Sequence, residues 1–236
     1  MDDIDLSSKF LRGKPVSLGL FELHPLTLDQ IFDDVGFGEY NRYLSILCID
    51  SDSIKEMLNI VDDTIIEPFE YLYASAFQQE ESKKIICESL HAFLNEDVSF
   101  GEGFFQIGKN PKSIIYQDNF NFFIDILKQQ NCINAEKEKI IIENDAQKKF
   151  MAQLKKIKEK YSKREKSQDI VDIMSAVSSK HPSINVFNVG SLTMYQLINA
   201  YKALNAIDNY FISIDSLLAG SSADEVKPKH WGDKLQ

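Results

Sequence analysis

Residues 147–166, QKKFMAQLKKIKEKYSKREK, constrain this chain more than any other stretch. Nine cationic side chains stand against Glu159 and Glu165, so the segment carries +7 and the rest of the chain, whose total is −10, carries −17. So many like charges repel one another and stay in water, resisting burial in a common core. No Gly or Pro occurs over 135–166, so nothing there punctuates a helix. The charge therefore divides the chain into an acidic body over 1–134, a basic helical connection over 135–166, and a helical region with a polar tail over 167–236.

At 236 residues the chain suits one large domain or two modest ones, each able to bury a core. Sixteen Phe and nine Tyr supply that core. The acidic balance argues against nucleic acid binding over the whole surface. The start, Met-Asp-Asp-Ile-Asp-Leu, has no apolar h-region, and no apolar run approaches the length of a membrane span. Cys48, Cys87 and Cys132 are widely spaced among apolar neighbours, as expected of buried free thiols in a reducing cytoplasm.

Along the body, the β-favouring residues of 9–23, broken by Gly13, Pro15 and Gly19, predict a strand or hairpin. Leu26-Thr27-Leu28-Asp29-Gln30-Ile31 carries a capping box, Thr27 with Gln30, ahead of a helix over 28–35 that stops near Gly36 and Gly38. A buried helix is expected over 40–49. Ser53 with Glu56 predicts a second box before a short helix, and Pro68 fits the first turn of another. Residues 84–95 place Ile86, Leu90, Phe93 and Leu94 on one stripe. Over 98–116 the period shortens between Gly and Pro turns, which predicts a small antiparallel meander. Asp118 is the expected cap of a helix with Phe120, Phe123, Ile124 and Leu127 inward, ending near Asn131.

Beyond the body, Phe150, Leu154, Ile157 and Tyr161 step by four, three and four, a narrow apolar seam on the basic segment. It runs under two heptads, too short to establish a coiled coil. Helices are expected over 169–177, broken at Lys180-His181-Pro182-Ser183, and over 192–207, with no internal repeats. The fold class read from this pattern is α+β and predominantly helical.

Candidate chemistry is thin. Gly103-Phe104-Phe105-Gln106-Ile107-Gly108-Lys109-Asn110 has the outline of a phosphate loop. Yet Asn110 stands where a hydroxyl should hold magnesium, and Pro111 denies the helix N-terminus. The Asp groups at 29, 33, 34 and at 50, 52, 62, 63 have structural reasons at helix starts and turns. His24, His91, His181 and His230 are scattered and assemble no acid–base pair. No cofactor, metal or catalytic group is expected, and the chain reads as a non-enzymatic binding protein. The seam residues are the expected partner contacts, and Trp231 is expected to anchor the tail into its own fold or, alternatively, to be a partner contact as well. Lys148, Lys149, Lys155, Lys156, Lys163 and Arg164 are the residues that would meet phosphates if the segment touched nucleic acid. Nucleic acid is the less favoured partner, because Lys outnumbers Arg and only Phe150 and Tyr161 offer aromatic rings there. A membrane surface is less favoured still.

One resemblance spans most of the chain. Its residues are His24-Pro25-Leu26-Thr27-Leu28, Tyr40-Asn41-Arg42-Tyr43-Leu44, Ile107-Gly108, Asn119-Phe120 and Gln130-Asn131-Cys132. It continues through the lysine-rich connection, Phe187-Asn188, Leu192-Thr193-Met194-Tyr195-Gln196-Leu197, Ser216-Leu217-Leu218-Ala219-Gly220 and Lys229-His230-Trp231. In these the chain resembles tail assembly chaperones and tail-associated proteins of phages and prophages of Gram-positive bacteria. The resemblance implies a homo-oligomer that binds the tape measure protein or tail tube subunits during tail morphogenesis, in the cytoplasm of the infected host. It carries no catalytic residues. A structural tail component, or a nucleic-acid-contacting protein using the basic helix, are the alternatives.

Overall fold

The computed structural model describes residues 3–60, 65–133, 169–220, 222, 226 and 228–232. Two compact units are present: Met1–Ile133 with Phe187–Asn199, and Asn134–Val186 with Ala200–Gln236. Among the described residues the fold is predominantly helical, with two small antiparallel sheets.

The first unit opens on helix α1 (Asp3–Leu11), where the sequence predicted a hairpin from residue 9. Phe10 is claimed by the helix because it buries beside Leu6 at i and i+4, a stronger demand than its β-propensity. Gly13, at φ +62, ends the turn. The hairpin proper is short, β1 (Val16–Ser17) against β2 (Glu22–Leu23), with Gly19 at φ +86 in its turn.

The Thr27–Gln30 capping box forms as expected. Thr27 N–H donates to Gln30 Oε1 at 2.9 Å, and Gln30 N–H donates to Thr27 Oγ1 at 3.3 Å. The box opens a π-helix, Gln30–Val35, that ends at Gly36 at φ +84. Helices α2 (Phe37–Leu47), α3 (Ser51–Leu58), α4 (Pro68–Gln78) and α5 (Glu80–Leu94) come next. Ser53 is not the cap of α3. Asp50 takes that role in extended conformation and accepts from Ser53 N–H at 2.8 Å, since a carboxylate outbids a hydroxyl for a helix N-terminus. Pro68 occupies the first turn of α4, as predicted. Asn59 and Asn95 close α3 and α5 in left-handed conformation.

The meander is β3 (Val98–Phe100), β4 (Phe105–Ile107) and β5 (Ile114–Ile115), in that order, with Val98 opposite Ile107 and Phe105 opposite Ile115. Phe105 and Ile107 point into the core, while Gln106 turns back and its Nε2 donates to the Ser113 carbonyl at 3.0 Å. Tyr73 stacks on Phe100 at 4.7 Å. Its hydroxyl donates to the Gly101 carbonyl at 3.0 Å and accepts from Gly103 N–H at 2.7 Å, fixing the β3–β4 turn to α4. Helix α6 (Gln117–Gln130) buries Phe120, Phe123, Ile124 and Leu127, the four residues its spacing predicted. Its cap is Tyr116, not Asp118: Tyr116 N–H donates to Asn119 Oδ1 at 2.8 Å, which places Asp118 inside the first turn. Phe69 gathers this aromatic core, 5.5 Å from Phe120 and 6.0 Å from Phe105.

A later piece of chain completes the unit. The 3-10 turn Val189–Ser191 leads into Thr193, which forms an isolated antiparallel bridge with Thr27. Leu28 N–H donates to the Leu192 carbonyl at 2.8 Å. Phe10 meets Tyr195 at 5.3 Å.

In the second unit, α7 (Ile170–Lys180) is capped by Asp169, which accepts from Asp172 N–H at 2.9 Å. It breaks at His181, as the sequence predicted, and His181 Nδ1 accepts from the N–H groups of Ser183 and Ile184. Helix α8 (Met194–Leu218) contributes residues 194–199 to the first unit and the remainder to the second. It runs well past the expected end at Ile207. Residues 208–218 hold no Gly or Pro, and Tyr210, Ile214 and Leu217 continue its apolar pattern until Gly220 at φ +99. Val177 and Leu204 are buried here, and Lys180 pairs with Asp208.

Candidate functional site

The first unit holds an apolar groove built by α2, α3, α4 and α5, with a volume of 530 Å³. Its apolar wall includes Ile46, Met57, Leu72, Ile85 and Ile86. The opening exists because each helix turns a serine toward it: Ser45 from α2, Ser53 from α3, Ser75 from α4 and Ser82 from α5. A leucine at these places would fill the space, whereas a hydroxymethyl leaves a trough that a partner's side chains can enter. Two of these hydroxyls are already satisfied, as Ser45 Oγ donates to the Asn41 carbonyl at 2.7 Å and Ser82 Oγ to Gln79 Oε1 at 3.2 Å. Met57 stands at the rim and is 64% exposed, with Leu58 beside it. An exposed methionine is a deformable contact for apolar side chains of varied shape.

A second cavity of 360 Å³ shares Ser45 and Cys48 with this groove, so the two adjoin along one side of α2. Tyr40 and Asn131 lie in its wall, and the Tyr40 hydroxyl donates to Asn131 Oδ1. Burial, the largest cause, raises the Tyr40 phenol well above its ordinary value and pushes the Cys48 thiol up to about 11. Both groups therefore hold their protons at neutral pH. Cys48 behaves there as a small apolar residue, not as a nucleophile.

The charge around the groove is lopsided. The four helices and their cap residues carry nine acidic side chains against Arg42, Lys55, Lys83 and Lys84. Three of those cations face acids on their own helices: Arg42 with Glu39 at 3.5 Å, Lys83 with Glu80 at 3.2 Å and Lys84 with Glu88 at 3.8 Å. Glu56 and Glu81, exposed on the helices that carry Met57 and Ser82, have no ion pair among the described residues. The arrangement can bury an apolar surface and attract a positive one. Sequence reasoning missed the groove. Its one signal was the serine that each of these helices carries on its groove side.

The residues singled out from sequence lie elsewhere. Phe150, Leu154, Ile157 and Tyr161, and the cations Lys148, Lys149, Lys155, Lys156, Lys163 and Arg164, lie outside the described residues. Trp231 is 48% exposed and stacks on His230 at 5.1 Å, and His230 meets the edge of Tyr210 at 5.1 Å. The Gly108-Lys109-Asn110 turn borders a 180 Å³ cavity that also holds Glu22 and Glu96, whose carboxylates repel a phosphate. His91 Nδ1 contacts the Glu96 carbonyl at 2.8 Å, a role in closing the end of α5. Among the described residues, no group of three or more His, Cys, Asp and Glu could hold a metal ion, and no helix is long and apolar enough to cross a membrane.

Residues 158–236 match the family model described as the YomV second domain, a family associated with phages and prophages. The match takes in α7, α8 and the segment bearing Trp231, and leaves the α2–α5 groove outside it. No curated protein and no solved structure matches the chain.

Proposed function

We propose that this protein is a non-enzymatic assembly chaperone of phage tail morphogenesis, which shields the tape measure protein or tail tube subunits before they polymerise. The observation that carries this reading is the apolar groove between α2 and α5, open and rimmed by the exposed Met57. The phage association of the family matched by residues 158–236 supplies the setting. A client that is long, helical and apolar aggregates unless its stripe is covered. Burying that stripe contributes about 25 cal/mol per Å² of apolar surface, and release occurs when subunits of the tube cover it instead. A chaperone that coats a long client works in several copies, so a homo-oligomer in the host cytoplasm belongs to the proposal.

The test is co-expression of the full chain with the tape measure and tail tube proteins of its own phage, followed by affinity capture. The mass of the complex is measured at about 0.1 M and about 1 M salt, across which phosphate contacts weaken steeply and apolar burial does not. A salt-resistant complex with either tail protein is the expected result. Capture of nucleic acid that salt removes, with no tail protein, would overturn the reading in favour of the basic segment. Incorporation of the protein into finished tails would make it a structural component.

A further inference from the structure

Resting on that reading, we infer that the α2–α5 groove is a docking site for an amphipathic helix whose apolar face is flanked by lysine or arginine. Two independent features of the groove specify this partner.

The first is shape. The wall from Ile46 through Leu72 to Ile85 is apolar, and the serines of the four helices keep it open. A helix presents apolar side chains at i, i+3, i+4 and i+7, which is the pattern that such a trough accepts. A strand would need a sheet edge with free backbone groups, and the groove is walled by helices, which offer no such edge. The second is charge. Glu56 and Glu81 do not line the groove but stand one turn from residues that do, Glu56 from Ser53 on α3 and Glu81 from Ile85 on α5, and neither has an ion pair among the described residues. Asp50 itself lines the groove and caps α3. Anionic groups at the rim of an apolar trough favour cationic flanks on the occupant and repel acidic ones. A helix with acidic flanks would place like charges together as its apolar face descended.

Three synthetic peptides of about 20 residues, about 30 Å long as helices, test this against the full chain by fluorescence anisotropy. One carries Leu and Ile at i, i+3, i+4 and i+7 with Lys elsewhere. The second replaces Lys with Glu, and the third scrambles the lysine peptide so that no apolar face remains. The ordered lysine peptide is expected to bind at least about tenfold tighter than either of the others, a gap of about 1.4 kcal/mol. Met57→Asp, at an exposed position that leaves the core intact, is expected to remove about tenfold of that affinity. Glu56→Lys with Glu81→Lys is expected to shift preference toward the glutamate peptide. Equal binding of the lysine and glutamate peptides would overturn the charge requirement. Equal binding of the scrambled peptide, or an unaltered affinity in Met57→Asp, would overturn the groove as the site. Capture of a tail protein that Met57→Asp leaves undiminished would likewise overturn the groove while the chaperone reading stands. Tight, groove-dependent peptide binding without any tail-protein capture would support the groove and sink the chaperone reading alone.

Discussion

Thr27 and Thr193, 166 positions apart in the chain, pair in an antiparallel bridge, and each caps the helical segment on its C-terminal side. Both lie in the same local sequence, Leu-Thr-x-x-Gln with an aliphatic residue after it: Leu26 to Ile31 and Leu192 to Leu197. Both form the same reciprocal bonds, Thr193 N–H to Gln196 Oε1 at 2.8 Å and Gln196 N–H to Thr193 Oγ1 at 3.3 Å in the second copy. The bridge thus joins two capping boxes back to back. It brings the start of α8 against the body, where Gln196 Nε2 also donates to the Leu11 carbonyl at the end of α1.

Removing either cap should therefore cost more than a surface cap costs. Thr27→Ala and Thr193→Ala are each expected to lower stability by about 1.5–2 kcal/mol, the upper end of the range for an N-cap. Because the two residues share a bridge, the double variant should deviate from additivity by about 0.5 kcal/mol or more. Urea unfolding of the two single variants and the double variant measures this. Strict additivity would mean that the bridge couples nothing.

Gln130 is 2% exposed, and neither its Nε2 nor its Oε1 has a hydrogen-bond partner among the described residues. Burying two unmet amide atoms costs about 1–3 kcal/mol, so an apolar side chain of similar volume should sit there more comfortably. Gln130→Met is expected to raise the urea midpoint, whereas Gln130→Ala should lower it by opening a cavity. A lower midpoint in Gln130→Met would show that the amide is satisfied by a buried water.

Much of this architecture was legible. The periodicity of α5 and α6 named their buried faces, Ile86, Leu90, Phe93 and Leu94 in one and Phe120, Phe123, Ile124 and Leu127 in the other. Gly and Pro punctuation located the meander. The misses were competitions that only tertiary structure decides. Phe10 went to a helix because Leu6 lies one turn before it, and Asp50 displaced Ser53 as a cap because a charged acceptor is the better partner for N–H groups. The two Leu-Thr-x-x-Gln segments were visible individually, but nothing local says that caps so distant will pair. The groove was hidden for a similar reason. Periodicity finds positions that are filled with apolar residues, and Ser45, Ser53, Ser75 and Ser82 matter by being small.

Cys48 and Tyr40 give the fold an alkaline limit. Burial raises both groups in the folded state, the thiol from about 9 to about 11. The unfolded chain therefore loses these protons at lower pH than the folded one. Their contribution to stability is complete below about pH 9 and falls as pH rises through the thiol's folded value near 11. Cys48→Ala should flatten this fall, measured as the urea midpoint against pH from about 8 to about 11. In the folded protein at neutral pH, Cys48 should also alkylate about a hundredfold more slowly than an ordinary thiol, read by peptide mapping after iodoacetamide treatment. Rapid labelling would mean that the thiol is open to water.

Trp231 is the sole tryptophan, so its emission reports on the C-terminal segment alone. The ring reaches α8 in two steps, stacking on His230, which meets Tyr210 edge-on. Each such contact between rings is worth about 0.5–1.5 kcal/mol beyond the area it buries, a modest hold for a half-exposed side chain. Tyr210→Ala is expected to free the pair from the helix and move Trp231 emission to longer wavelength, with far-ultraviolet circular dichroism unchanged. In the wild-type chain, tryptophan emission should change at lower urea than the helical signal, because this contact opens before α8 unfolds. Coincident transitions, together with an unmoved emission in Tyr210→Ala, would mean that Trp231 is held by the body of its unit and not by the Tyr210–His230 contact.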